Sequence, residues 1–303
     1  MWFKNLKLYR LASSWNLTAE KLDELLSKEA FVSAGAAAPQ SVGWVPVQEG
    51  DARLAYSVGR QILCSFRTEK KLLPASVINQ FVKVRALELE EQQGFKPGRK
   101  QMRDLKEEVT NTLLPRAFSL QKDTRIWIDP VNNWLGMDTA STAKAEELLS
   151  AIGKAVYPFP VEPIQVTISP AVAMTSWISS EQPPANFSID QDAELRAGGD
   201  QAAVVRYVKH TLEQEDIQKH IRSGKQCTRL ALTWNDKISF VLTENLDIKR
   251  IAPQDILDQP DQQMAANEAE KFDSDFTLMC AEFNLLASGL MDALEEKRMA
   301  QAA

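Results

Sequence analysis

The stretch TRLALTWNDKISFVLT, residues 228–243, constrains the fold more than any other part of the chain. Two runs rich in aliphatic, aromatic and β-branched residues flank Asn235-Asp236, and a two-residue connection can join only antiparallel strands. TRIWIDP (124–130) and NWLGMDT (133–139) repeat the arrangement as a second hairpin. Parallel strands would need long crossovers. Here strands and helices alternate irregularly, so the expected class is α+β and not a doubly wound sheet.

Further strands are expected at WFKNLKLYRL (2–11), RQILCSFRTEKKLL (60–73), IQVTI (164–168), AAVVRYVKH (202–210) and LDIKRI (246–251). Gly35 to Gly50 reads as a loop with a short extended piece. Helices are expected over 18–31, with Thr18 as N-cap, and over 76–93, opened by Pro74 and closed by Gly94 and Pro97. Another runs from about Pro97 to Leu114 and stops at Pro115, before which helical geometry is disfavoured. Residues 141–155, 169–180 and 213–225 follow, then a long helix over 267–297 after the polar run DQPDQQ (258–263). The spacing divides the chain into a central α+β region (1–73 with 124–180), a basic helical hairpin region (74–123) and a C-terminal α+β region (181–303).

Charge is distributed unevenly. The chain has a formal net charge of -6, yet residues 60–125 hold fourteen basic and eight acidic side chains. Residues 181–303 hold thirteen and twenty-two. A basic segment inside an acidic chain suits a local surface that meets a polyanion. The bland explanation is that helices carry solvated charge.

Catalytic signatures are missing from the sequence. His210 and His220 are ten apart with no HExxH spacing, and GFKPGRK lacks the Gly-Lys-Ser/Thr ending of a phosphate loop. There is no GxSxG elbow. Cys64, Cys227 and Cys280 are too far apart for a CxxC site and read as buried thiols. Asp129 and Asp138 bracket a hairpin and offer a carboxylate pair to a nuclease reading, although a strand-end Asp beside Pro130 is more often a turn residue. No metal, cofactor or catalytic residue is expected. No apolar run approaches the ~20 residues of a spanning helix, so a cytoplasmic protein without membrane contact is expected.

Within GFKPGRKQMRDLK (94–106), Lys96, Arg99, Lys100, Arg103 and Lys106 stand close together. On a helix, Arg99, Arg103, Lys106 and Thr110 fall within about 60° of one another. Met102, Leu105, Val109 and Leu113 form a separate apolar face, while Asp104, Glu107 and Glu108 could neutralise the cations by i,i+4 pairs. Lys83 and Arg85 on the preceding helix, and Arg67, Lys70 and Lys71 on the strand before it, add cations from two more elements; Arg116 follows Pro115. No zinc-finger or RNP signature accompanies them. The pattern suits phosphate contact without base readout. The alternative is an assembly factor whose basic helices bind an acidic protein.

As an ordered set, MWFKNLKLYRL, GWVP, KLLPASVI, TLLPRAFS, HIRSGKQCTRLALTWNDKISFVL and FDSDFTLMCAE resemble the bacterial RdgC family of recombination-associated proteins over essentially the whole length. The resemblance implies an elongated, multi-part subunit that closes into a ring-shaped homodimer with a basic lumen. It implies sequence-independent binding of double-stranded DNA, with single-stranded DNA as a further partner, antagonism of the RecA recombinase, and association with the nucleoid. The DNA-facing set would be Lys70, Lys71, Lys83, Lys96, Arg99, Lys100, Arg103, Lys106 and Arg116. The family places the phenylalanine of Leu-Leu-Pro-Arg-Ala-Phe, here Phe118, and a basic residue matching Lys209 where two subunits meet at the ring's opening. His210 stands where the family carries glutamine. Without the resemblance, Phe118 reads first as a core phenylalanine under the helix end.

Overall fold

The structure, a computed structural model, describes residues 2–13, 15–199, 203–254 and 267–297. Along them the chain forms β1 (Asn5–Leu11), α1 (Ala19–Leu26), β2 (Gln40–Val45), β3 (Ala55–Val58) and β4 (Gln61–Lys71). Then come α2 (Ala75–Gln93), α3 (Arg99–Leu113), β5 (Ser119–Asp129), β6 (Trp134–Met137), α4 (Thr142–Ala155), β7 (Val161–Pro163) and α5 (Pro170–Ser180). The last elements are β8 (Phe187–Ala197), β9 (Val204–Tyr207), α6 (Gln214–Arg222), β10 (Lys225–Trp234), β11 (Ile238–Thr243), β12 (Ile248–Pro253) and α7 (Glu268–Ala293). The class is α+β, and β1–β6, β1–β7, β1–β12, β2–β4, β5–β6, β8–β9, β8–β10, β10–β11 and β11–β12 pair antiparallel. Two units make up the chain: Met1–Leu22 with Ala55–Leu63 and Arg125–Ala303, and Asp23–Leu54 with Cys64–Thr124.

In the first unit the strand order β6-β1-β12-β11-β10-β8-β9 builds an antiparallel sheet. The β10–β11 hairpin turns at Asn235 and Asp236, both with positive φ (49° and 55°), as the two central residues of a twist-matched hairpin turn must have. Leu230, Leu232 and Trp234 are buried on one face of β10, and Arg229 is exposed on the other. Helix α5 packs on β10, and the Thr175 hydroxyl accepts a hydrogen bond from the Cys227 amide at 2.8 Å.

Helix α7 supplies the spine of this core. Phe276, Met279, Cys280, Phe283, Leu286, Ala287, Leu290 and Met291 are buried at the three- and four-residue steps of a single helical stripe. Phe283 meets Trp2, Phe3 and Trp127 at centroid distances of 5.6, 5.9 and 6.1 Å. A Cβ at Gly289 would come within 2.9 Å of the Trp234 ring, so this helix approaches the sheet more closely than an alanine would allow. Asn267 caps the helix by accepting from the Glu270 amide.

In the second unit, β2 pairs with β4, and the cross-strand neighbours Trp44 and Phe66 pack edge to face at 5.0 Å. Helices α2 and α3 form a hairpin. Gly94 ends α2 in the left-handed conformation (φ 80°) with its amide bonded to the Glu90 carbonyl. Gln101 accepts from the Gly98 amide and donates to Gln93, stapling the turn.

Several expectations need correction. IQVTI is not a strand; the pairing segment is Val161–Pro163, three residues earlier, and only Val166 makes an isolated bridge, to Glu296. The long last helix ends at Ala293, because Glu295 adopts a positive φ of 55°. The strand expected over 202–210 spans Val204–Tyr207, and residue 202 lies outside the described residues, as does the polar run 258–263. Strands β3 and β8 were not anticipated. All three cysteines are free and buried, as expected, and burial pushes the Cys227 thiol up to about 12.

Phe283→Ala should remove the ring on which three aromatic neighbours converge and cost about 3–5 kcal/mol. Urea denaturation reads this as a lowered midpoint with unchanged slope. A loss below about 1 kcal/mol would show that α7 is not the spine of the core.

Candidate nucleic-acid interface

The nine anticipated DNA-facing cations all belong to the second unit. Lys96, Arg99, Lys100, Arg103 and Lys106 are exposed on the turn before α3 and along that helix. The apolar stripe behind them docks unevenly: Val109 is buried, Leu105 and Leu113 are half-buried, and Met102 is exposed. Lys83 is exposed on α2, as are Lys70 at the end of β4 and Arg116 after α3. Lys71 is half-buried, with its ammonium 3.5 Å from the Ala117 carbonyl.

Acidic neighbours do not neutralise this row. Arg67 pairs with Asp123 at 2.7 Å and Arg85 with Glu88 at 2.8 Å. The hydrogen bonds raise both guanidinium pKa values. Among the described residues, Arg103 is the one α3 cation that approaches a carboxylate, Asp104, at 3.9 Å. Among the described residues Lys83, Lys96, Arg99, Lys100, Lys106 and Arg116 have no ion-pair partner. Asp104, Glu107 and Glu108 therefore do not hold the cations by i,i+4 pairs. A helix surface with several free, solvated cations can trade its counterions for phosphates.

Phe118 is 84% exposed. Pro115 stands in a 3-10 turn over Leu114–Arg116, after which the chain becomes extended at Ala117. The Leu72 amide donates to the Phe118 carbonyl at 2.7 Å, so the backbone is anchored while the ring projects outward. Phe118 is thus not a core residue. Exposed Leu72 and Leu120 accompany it, and sequence reasoning missed both; the Phe-Ser-Leu spacing, which puts Phe118 and Leu120 on one side of an extended chain, was the available signal. Reasoning from sequence also missed an uncovered stripe on α2, where Phe81, Val84 and Leu87 are all exposed and Val82 alone is buried.

Lys209 and His210 belong to the first unit. Lys209 has a positive φ of 49°, and its amide donates to Asp192 at 2.7 Å. It lines an open hollow of about 560 Å³ with Ile189, Ala231, Phe240 and Val241 among the other lining residues. His210 is exposed, with Nδ1 2.7 Å from the Thr211 carbonyl.

The carboxylates considered for metal chemistry have structural work. Asp129 accepts from the amides of Val131 and Asn132 and from the Asn132 side chain, as a turn residue does. Asp138 accepts from the amides of Lys4 and Asn5, and burial raises its pKa. Among the described residues no group of three or more His, Cys, Asp and Glu is placed to share a metal ion. Nor is any described helix long and apolar enough to cross a membrane.

A family profile described as "Putative exonuclease, RdgC" matches residues 1–297. The recombination-associated protein RdgC of Bordetella parapertussis is 52% identical over 300 residues, covering 99% of this chain and 100% of that one. The proteins of the same name from Herminiimonas arsenicoxydans and Cupriavidus pinatubonensis are 52% and 50% identical, covering 97% and 99% of this chain and 98% and 100% of theirs.

Phe118→Ala should leave the free energy of unfolding within about 0.5 kcal/mol of the parent, as for other surface changes. A large drop in thermal midpoint would return Phe118 to the core.

Proposed function

The chain belongs to the RdgC family of recombination-associated proteins, and on that footing we propose that it binds double-stranded DNA without regard to sequence. The observation that carries this reading is the row of exposed cations at Lys96, Arg99, Lys100, Arg103 and Lys106, of which only Arg103 stands within 4 Å of a carboxylate among the described residues, with Lys83 and Arg116 nearby in the chain. Such a row addresses a regular array of phosphates and reads no base edge. The activity is binding, not cleavage. Asp129 and Asp138 are engaged by backbone amides, which supports this against the exonuclease in the family description.

The protein acts as a homodimer closed into a ring around DNA, cytoplasmic and nucleoid-associated, and restrains RecA by occupying the duplex. A two-subunit ring needs two different contacts on one two-fold axis. Two apolar surfaces left uncovered in a single copy support this: the α2 stripe of Phe81, Val84 and Leu87, and the patch of Leu72, Phe118 and Leu120. Phe118 of one copy seats in the hollow beside Lys209 of the other, where Ile189, Ala231, Phe240 and Val241 offer apolar lining. Burying one phenylalanine gains about 1.5–3 kcal/mol, enough to latch a ring and small enough to let it open.

Duplex affinity measured against salt tests the reading. The logarithm of affinity should fall by about 0.9 per phosphate contacted for each logarithmic step in salt, and Arg103→Ala should weaken all sequences alike while flattening the slope. Absence of duplex binding, with capture of an acidic protein instead, would replace DNA by a protein partner. Divalent-metal-dependent nicking would restore the nuclease.

The mass in solution should be twice 33.9 kDa without DNA. Phe118→Ala should keep that mass, yet shorten retention on duplex DNA and relieve inhibition of RecA. A monomer at micromolar concentration overturns the ring.

A further inference from the structure

We propose that Arg196, Arg206 and Arg229, gathered around Glu194, form a second phosphate-binding site for nucleic acid in the acidic C-terminal part of the chain. The inference rests on the DNA-binding reading above and extends it to a different element set.

Register brings the four side chains together. Glu194 on β8 lies opposite Arg206 on β9 and Arg229 on β10, and Arg196 follows two residues later on the same side of β8. Glu194 is buried. Its carboxylate accepts from Arg206 Nε at 2.7 Å, from Arg196 Nη2 at 3.1 Å and from the Thr228 hydroxyl at 3.1 Å, and Arg229 Nη1 lies 3.7 Å away. Burial alone would raise the Glu194 pKa. The Arg206 bond, the Arg229 charge and the Thr228 hydroxyl together hold it below its ordinary value, so the carboxylate is ionised.

One carboxylate among three guanidiniums leaves the cluster with excess positive charge. Among the described residues these arginines have no other ion-pair partner. The side chains remain partly open to solvent, 41%, 62% and 52% exposed for Arg196, Arg206 and Arg229. Their donors are mostly unused: Glu194 takes one bond from Arg196 and one from Arg206, and Arg196 Nε is buried without a partner. Three like charges drawn together repel one another, and an arriving anion relieves that repulsion. Arg206 is held by Nε, which leaves its terminal nitrogens to meet an oxyanion in the forked geometry that suits phosphate. The excess charge and the forked donors of the cluster match a backbone phosphate.

The test compares duplex binding, over a range of salt, for the parent chain, for Lys100→Ala/Arg103→Ala and for Arg206→Gln/Arg229→Gln. If the site holds phosphates, the second double variant binds more weakly and its salt slope is shallower by about one to two units. Arg206→Lys/Arg229→Lys keeps the charge but not the fork, so it should retain the slope and lose part of the affinity; it also serves if the glutamine variant fails to fold by thermal melt. An unchanged affinity and slope, beside a weakened α3 variant, overturns the second site and leaves the α3 interface standing. No duplex binding by the parent chain overturns both. A melt in inorganic phosphate separates the remaining source. Stabilisation of the parent but not of Arg206→Gln/Arg229→Gln, with duplex binding unaltered, would assign the site to free phosphate and overturn nucleic acid as its ligand.

Discussion

The first unit depends on the burial of one face of α7. Its apolar stripe carries Phe283 into the cluster of Trp2, Phe3 and Trp127 and brings Gly289 against Trp234. Close packing of this kind fixes rotamers and spacing, because interiors leave little free volume. Lys237 follows at the hairpin, donating to buried Glu282 at 2.6 Å. With Leu230, Leu232 and Trp234 committed to the packed side, the alternate residues of β10 are free to be polar, and Arg229 occupies one of those positions. The core thus determines where charge can stand on the sheet.

The same separation of tasks operates in the second unit. Trp44 and Phe66 fasten β2 to β4, and α3 needs only Val109 fully buried to dock. The rest of α3 is available for charge. Pairing consumes Arg67 and Arg85, the cations on β4 and α2 that stand beside acids, and on α3 it reaches only Arg103, through a long contact to Asp104. Exposed pairs contribute only about 0–1 kcal/mol, so leaving the α3 cations free sacrifices little stability.

Much of this was legible in the sequence. Asn235-Asp236 gave away a tight hairpin, Pro74 and Gly94 bounded α2, and the helix expected over 141–155 is α4, which the structure caps with Ser141, accepting from the Lys144 amide. β8 was not legible, because FSIDQDAELRA lacks strict alternation. Its pairing with β10 shifts register between Cys227 and Arg229 and again between Leu230 and Leu232, which scrambles the two-residue period. IQVTI has strand composition, but Val161–Pro163 holds the position beside β1, and composition cannot say which neighbour is free. The exposure of Phe118 depends on a backbone bond to Leu72, 46 residues back in the chain, which no local pattern reveals. The arginines around Glu194 come from three strands, and only their register unites them.

The bond between the Leu72 amide and the Phe118 carbonyl has a consequence for how such proteins can diversify. It makes the start and the end of the α2–α3 hairpin immediate neighbours, so everything between them hangs from a closed neck. Lengthening or shortening both helices by whole turns changes how far the arm reaches without disturbing the strands that hold its root. A lineage can thus change the reach of the hairpin by insertion and deletion alone, leaving the folding of the strands at its root under separate selection.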